Sequence, residues 1–290
     1  MIICSSITCL NLSSSIFRRE LNDGFGSIRI EKGESMNNKN ILKNGIIVAL
    51  FIFTCGCASS KSNMLSGAVR NSDFNTINNL INEGADVNYT TEVNGYTILL
   101  WCISGNSRDK KEITKLLLEK GANLEATNDY GMFPLMTALM FKEPDIAGML
   151  VDKGSNVNRC NAKPILCPLM VSSGNNYIEL TKSMINKGAY VDKLDANSQT
   201  ALYYAINRGN IDIVTALITS GANVNIKNNH GITPLMAAAK YGDKSIVNYL
   251  LENGATLNAK TYQTGQTALS FALTYGHVNV AILLKEKGAE

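Results

Sequence analysis

The sequence predicts an all-α fold, a solenoid of about seven helix-turn-helix repeats with short β-hairpin-like finger loops. A Gly-Ala pair, replaced once by Gly-Ser, recurs at intervals of 33 to 37 residues. A leucine precedes this glycine by 19 residues in six of the seven copies. Such a period is typical of solenoids, in which each unit buries its apolar face only against its neighbours. The predicted repeats end at Gly84, Gly121, Gly154, Gly188, Gly221, Gly254 and Gly288.

The most regular repeat, residues 231–258, shows why each unit is expected to hold two helices. Thr233-Pro234 opens the first helix, because proline suits the first helical position. Asp243 is a good N-cap for the second helix, and Gly254 ends it. The apolar residues of the second helix share one face, so the pair needs neighbouring repeats to cover it.

Several motifs in the chain resemble those of ankyrin repeats. They are Thr233-Pro234-Leu235, Phe133-Pro134-Leu135, Thr200-Ala201-Leu202 and the Gly-Ala-Asp-Val-Asn ending at 84–88. The resemblance covers residues 63–290. It implies a non-enzymatic protein that binds a protein partner on a concave groove of fingers and first helices.

Departures from the ankyrin pattern give further expectations. The family's usual histidine after Pro-Leu is absent from every copy, so we expect its hydrogen bonding between repeats to be lost. Extra residues within 105–112 are expected to lengthen the turn between the helices of repeat two. Lys163-Pro164-Ile165-Leu166 replaces the turn glycine of repeat four, whose finger should be misshapen. The last repeat has no separate polar cap.

The first 62 residues differ from the rest. Residues 36–57 have a basic start, an apolar run from Ile46 to Phe53 and Cys57 after a small residue. They resemble a bacterial lipoprotein signal peptide, with Cys57 as the lipidated residue and Cys55 as the alternative. The competing interpretation is a short apolar segment with two incidental cysteines. We interpret residues 1–35 as an artefactual or disordered extension before a start at Met36, and residues 58–62 as a linker.

Charge and composition argue against nucleic-acid binding and catalysis. The formal net charge is only +3, whereas proteins that grip phosphates carry a clear basic excess. His277 is expected to lie at the start of a second helix, and His230 at a fingertip, where it could contact a partner. No His/Cys cluster has zinc spacing and no phosphate-binding glycine loop is present, so we expect no catalytic residue, cofactor or metal.

Three cysteines fall in the repeats. Cys102 matches a buried place in a first helix and is expected to be a core thiol. Cys160 and Cys167 flank the irregular finger of repeat four. They either form a disulfide in an oxidising compartment or remain free thiols, because sequence spacing does not establish the Cα separation.

We therefore expect a non-enzymatic, monomeric scaffold for an unknown protein partner, exported and held in the cell envelope only by a lipid anchor. The alternative is a cytoplasmic ankyrin adaptor or effector without a functional signal peptide. An enzyme or ligand-binding receptor would need a site hidden in the groove. The resemblance assigns partner binding to Asp129, Tyr130, Met132, Met140, Phe141, Asn197, Gln199, Asn207, Arg208, His230, Lys240, Tyr241 and Tyr275.

Overall fold

The computed structural model describes residues 60–290 except positions 93, 163 and 164, and these residues belong to one compact unit. The predicted extension 1–35, the predicted signal peptide 36–57 and its candidate lipidation sites Cys57 and Cys55 lie outside the described residues. Residues 60–62, predicted as the end of a linker, are helical instead. Ser62 is buried there, and its hydroxyl accepts a hydrogen bond from the Asp86 amide at 3.0 Å.

Fourteen helices in the described residues form seven pairs, which confirms the predicted all-α solenoid. The first helices are α1 (residues 60–70), α3 (Ile98–Ser104), α5 (Pro134–Met140), α7 (Pro168–Gly174), α9 (Ala201–Arg208), α11 (Pro234–Tyr241) and α13 (Ala268–Thr274). The second helices are α2 (Phe74–Asn82), α4 (Lys110–Glu119), α6 (Pro144–Asp152), α8 (Ile178–Asn186), α10 (Ile211–Thr219), α12 (Lys244–Glu252) and α14 (Val278–Glu286).

The capping residues of repeat six act as the sequence predicts. The Thr233 hydroxyl accepts from the Met236 amide at the start of α11, where Pro234 occupies the first turn. The Asp243 carboxylate accepts from the Ile246 amide at the start of α12. Gly254 follows this helix with a φ of 84°, a left-handed conformation that favours glycine.

Stacking of successive repeats forms the core. From α3 onward, each first helix packs on its own second helix and on the neighbouring first helices, and second helices pack on one another. Ala205, Ala238 and Ala272 are fully buried and allow first helices to approach closely. Leu217 and Leu250 fill the layer behind them, and burying such a side chain contributes about 2 kcal/mol.

A ladder of side-chain hydrogen bonds joins every repeat to the next. Four residues after each of the first six repeat-ending glycines, a side-chain oxygen accepts from a backbone amide about 31 to 35 residues further along the chain at 2.7–3.1 Å. The acceptors are Asn88, Glu125, Asn158, Asp192, Asn225 and Asn258. We did not predict this ladder, although an acceptor residue recurs at the same place in each repeat.

Our expectation that hydrogen bonding between repeats is lost with the missing histidine is wrong for repeat five. Tyr203 occupies that place, and its buried hydroxyl donates to the Ile226 carbonyl at 2.9 Å and also contacts the Ile232 carbonyl. Both carbonyls lie in the finger of repeat six. Burial raises the pKa of the Tyr203 phenol, so it stays protonated and remains a donor.

The irregular places predicted in repeats two and four are also observed. Five residues, 105–109, separate α3 from α4. In repeat four, β1 (Asn161–Ala162) and β2 (Ile165–Leu166) form an antiparallel hairpin with Asn161 opposite Leu166. A disulfide between Cys160 and Cys167 closes the base of this hairpin, with a Cα–Cα distance of 4.2 Å.

The repeat nearest the carboxyl end of the described residues presents apolar residues to solvent. Leu273, Val278 and Ile282 are exposed and border a shallow depression. None of the helices from residue 60 onward combines the length and the apolar character that a bilayer span requires.

Candidate functional site

One buried side chain closes each finger of repeats three, five and six. In repeat six, Oδ1 of Asn228 accepts from the amides of His230 and Ile232 at 2.9 and 3.0 Å. Asn128 makes the same pair of bonds in repeat three, and Asp195 makes it in repeat five. These are Asx turns, and they fix the backbone from which the fingertip side chains extend.

Backbone hydrogen bonds also join neighbouring fingertips. The Asp129 amide donates to the Asn94 carbonyl at 3.1 Å, and the Asn229 amide donates to the Asn197 carbonyl at 3.1 Å. The Tyr262 amide donates to the His230 carbonyl at 3.2 Å. The fingers of repeats five, six and seven therefore form one continuous edge.

The predicted partner-binding residues are mostly accessible. Ten of the thirteen are exposed, and Met132, Gln199 and Lys240 are half-buried. The aromatic members have large accessible surfaces: Tyr130 is 68% exposed, Phe141 49%, Tyr241 48% and Tyr275 50%. Aromatic side chains held on a rigid backbone are typical anchors of protein interfaces.

The structure brings three of these residues into one cluster at the ends of α11 and α13. The Lys240 ammonium lies 5.9 Å from the Tyr241 ring centre and 5.4 Å from that of Tyr275. His277 contacts the backbone of this cluster, because its Nε2 lies 2.8 Å from the Lys240 carbonyl oxygen. Its ring also occupies the space beside Gly242, where a Cβ would clash. His277 is therefore a structural residue, as expected.

Other predicted residues have structural contacts of their own. Met132 packs against the core, and its sulfur accepts from the Asn161 amide group at 3.7 Å. Nε of Arg208 donates to the Gly174 carbonyl at 2.5 Å. The Asn197 carbonyl accepts the fingertip bond from repeat six. These residues help to shape the surface as well as presenting accessible atoms on it.

Tyr262 is an accessible residue that our sequence prediction missed. It is 65% exposed in the finger of repeat seven, and the Lys227 ammonium lies 5.2 Å from its ring centre. The same signal that identified Tyr130, an aromatic residue in a finger, would have identified Tyr262.

The described residues offer little for catalysis. They contain no group of three or more His, Cys, Asp or Glu side chains placed to hold a metal ion. Cys102 is buried, as predicted, and burial raises the pKa of its thiol to about 11, which keeps it in the unreactive neutral form.

A surface depression of about 530 Å³ lies away from the fingers, among residues of α6, α8 and neighbouring α4. An ion pair borders it, with Lys111 Nζ 2.7 Å from an Asp145 oxygen. Because the depression is open and holds none of the exposed aromatic residues described above, we favour the finger and first-helix face as the binding surface.

Comparison with known proteins agrees with the repeat architecture. The family model for ankyrin repeats matches residues 65–161, 169–261 and 227–290. The uncovered residues between the first two matches, 162–168, overlap the hairpin of repeat four.

Three curated proteins share parts of this sequence. An ankyrin repeat protein of Acanthamoeba polyphaga mimivirus is 40% identical over 81 residues, which are 28% of this chain and 50% of that protein. An ankyrin repeat protein of Borreliella burgdorferi is 23% identical over 172 residues, 59% of this chain and 67% of that protein. The glycerophosphocholine phosphodiesterase gde1 of Schizosaccharomyces pombe is 30% identical over 112 residues, 39% of this chain.

The chain spans half the length of the mimivirus protein and 10% of the yeast enzyme. The similarity therefore concerns the repeats, not the remainder of those proteins. With seven helix pairs, recurring motifs and a family model that matches most of the sequence, the chain belongs to the ankyrin-repeat family.

Proposed function

We propose that this protein is a non-enzymatic, monomeric scaffold that binds a protein partner on the concave groove formed by its fingers and first helices. Ankyrin repeats act generally as protein-interaction modules, which supports the role of a protein-binding scaffold. The observation that carries the choice of this face is its set of exposed aromatic side chains, including Tyr130, Phe141 and Tyr241.

Affinity capture with the full-length chain tests the binding surface. We expect the triple variant Tyr130→Ala/Phe141→Ala/Tyr241→Ala to lose the partners that the wild-type chain captures, since interface aromatics commonly contribute about 2 kcal/mol or more each.

A matched control is Phe74→Ala/Val278→Ala/Ile282→Ala, which removes three exposed apolar side chains from second helices. Capture that survives the first triple variant, or is lost equally in the second, would contradict the groove as the binding site.

We also propose that the chain is exported and lipid-anchored in the cell envelope. The Cys160–Cys167 disulfide supports this proposal, because disulfides persist in oxidising compartments and are rare in the cytosol. Metabolic labelling with an azido-fatty acid tests it. We expect label on the wild-type chain and on Cys55→Ala, and none on Cys57→Ala. Absence of label from all three proteins would favour the cytoplasmic adaptor.

A further inference from the structure

The finger and first-helix segments of the last two repeats carry charge of one sign. Residues 222–242 and 255–276 contain Lys227, Lys240, Lys260 and His230, but no Asp or Glu. In the finger before them, Asp192 accepts from the Asn223 amide, and Asp195 accepts from the Tyr204 hydroxyl and two backbone amides. The acidic groups of that finger are thus already engaged in the fold.

Two lysines on this surface lie near aromatic rings and pair with no carboxylate among the described residues. The Lys240 ammonium lies 5.9 Å from the Tyr241 ring centre and 5.4 Å from that of Tyr275. The Lys227 ammonium lies 5.2 Å from the Tyr262 ring centre and donates to the Lys260 carbonyl at 3.1 Å. The five ion pairs found among the described residues all lie in repeats one to four. Aromatic rings orient an ammonium group without neutralising its charge.

We propose that this lysine–tyrosine surface (Lys227, Lys240, Tyr241, Tyr262 and Tyr275) binds an acidic peptide segment of a protein partner. The inference rests on the proposed function and specifies the partner's chemistry. Carboxylates would pair with the two ordered ammonium groups, and the exposed tyrosine rings would pack on apolar side chains between them. Three lysines in these segments fall short of the basic stripe that a phosphate backbone requires.

The two lysines also suggest a spacing for the segment. Lys227 precedes α11 in the finger, and Lys240 lies near the end of that eight-residue helix. At 1.5 Å per residue the helix is about 12 Å long. An extended peptide rises about 3.3 Å per residue, so the two carboxylates should stand about four or more residues apart.

Selection from a random dodecapeptide display library on the immobilised full-length chain tests this inference. We expect enriched peptides to be rich in Asp and Glu with aromatic or aliphatic residues between them. The Kd of an enriched peptide is then measured by fluorescence anisotropy, alongside its version with Asn and Gln in place of Asp and Glu.

We expect the neutral version to bind about tenfold more weakly, and Lys227→Met/Lys240→Met to weaken the acidic peptide by a similar factor, as for two partly desolvated charge pairs. Methionine keeps most of the apolar stem of lysine. The matched control Lys244→Met removes an exposed lysine of repeat six from α12 and should leave the Kd unchanged.

Selection of no acidic peptide, equal binding of the neutral version or an unchanged Kd in the double variant would overturn the inference. Equal lysine-dependent binding of a single-stranded oligonucleotide or of phosphatidylglycerol vesicles would overturn it too, because attraction would then be generic. If selected peptides still lose binding in Tyr130→Ala/Phe141→Ala/Tyr241→Ala, the groove remains the binding site and only its acidic preference fails. Binding insensitive to both sets of variants contradicts the proposed function as well.

Discussion

The fingers of repeats four and six occupy equivalent places but are closed by different chemistry. In repeat six, Asn228 bonds two amides from inside the finger, and Tyr203 reaches two carbonyls of the finger from the preceding repeat. In repeat four, the disulfide between Cys160 and Cys167 crosses the base of the hairpin. Asn161 lies where Asn228 would be, yet its buried Oδ1 has no hydrogen-bond partner among the described residues.

Several sequence differences lie behind this contrast, and one of them is an extra residue in the turn. The paired positions Asn161 and Leu166 are five residues apart, whereas Asn228 and Ile232 are four apart. Gly231 has a φ of 76° beside the Asn228 turn. Pro164 follows Asn161 by three residues, as Gly231 follows Asn228, and the proline ring restricts φ to about −65°. Met136, fully buried at the place of Tyr203, has no hydroxyl to offer to the next finger. In repeat four the disulfide thus stands in place of the Asx-turn hydrogen bonds and the tyrosine–carbonyl hydrogen bonds that close the finger of repeat six.

The largest expected effect comes from removing the turn side chain of repeat six. Asn228→Ala leaves two amide donors without their acceptor and should lower the free energy of unfolding by about 3 kcal/mol. Urea unfolding measures the loss, and hydrogen exchange should show faster exchange of the His230 and Ile232 amides. Asn186→Ala, at the exposed end of α8, is the control and should change stability by less than about 0.5 kcal/mol. An effect of Asn228→Ala no larger than that of the control would contradict the Asx account.

Removing the cross-link of repeat four should have the next largest effect. For Cys160→Ser/Cys167→Ser we expect a loss of about 2 kcal/mol, because the unfolded chain regains the freedom of a short closed loop. Exchange should accelerate at Asn161, Ala162, Ile165 and Leu166 and stay unchanged in repeat six. Reductant should destabilise the wild-type chain but not this variant, and equal sensitivity of both would disprove the assignment.

Tyr203→Phe removes the hydrogen bonds that repeat five makes to the finger of repeat six and keeps the Asn228 hydrogen bonds within that finger. Loss of the hydroxyl should cost about 1.5 kcal/mol at pH 7. Because burial raises the pKa of Tyr203 in the folded state, its contribution is complete below the unfolded value of about 10 and is lost as pH rises above it.

The difference in urea midpoint between wild type and Tyr203→Phe should therefore shrink between pH 9 and pH 11. Tyr204, whose pKa burial raises to about 12, remains in both proteins and serves as an internal control. A difference that stays constant over this range would exclude Tyr203 ionisation as the cause.

The smallest effect is expected from giving repeat four the turn residue of repeat six. In the Cys160→Ser/Cys167→Ser background, Pro164→Gly removes the restriction that the proline ring places on φ. We expect Asn161 Oδ1, which has no hydrogen-bond partner among the described residues, then to accept a turn amide. We expect a gain of up to about 1 kcal/mol, reduced by the greater freedom of glycine in the unfolded chain. Pro164→Gly with the disulfide intact should raise the free energy of unfolding by less. A larger gain with the disulfide intact would contradict the idea that the two closures replace each other.

The helix pairs could be predicted because local chemistry determines them. Thr233-Pro234, Asp243 and Gly254 cap their helices as expected, and the buried alanines mark the stacking faces. The irregular turns of repeats two and four were also visible as breaks in the pattern.

The sequence was less informative about contacts between repeats. The cluster of Lys240 with Tyr275 depends on how far neighbouring repeats shift along each other, and the disulfide depends on a Cα separation that sequence spacing does not contain. The sequence predicts no bond from Tyr203 to the next repeat, because such a bond depends on where the next finger lies. The identity of the partner is set by exposed side chains that the repeat pattern leaves unconstrained.

The ladder of side-chain acceptors gives the array a direction. Each acceptor, such as Asn225, serves a backbone amide of the repeat that follows it, here that of Thr256. Where only the ladder bonds are considered, unfolding repeats from the carboxyl end leaves side-chain acceptors without partners in the repeats that stay folded, and water solvates these side chains readily. Unfolding from the amino end instead leaves a backbone amide of the next folded repeat without its side-chain acceptor at each step. We therefore expect the ladder to make unfolding easier when it starts at the carboxyl end than when it starts at the amino end.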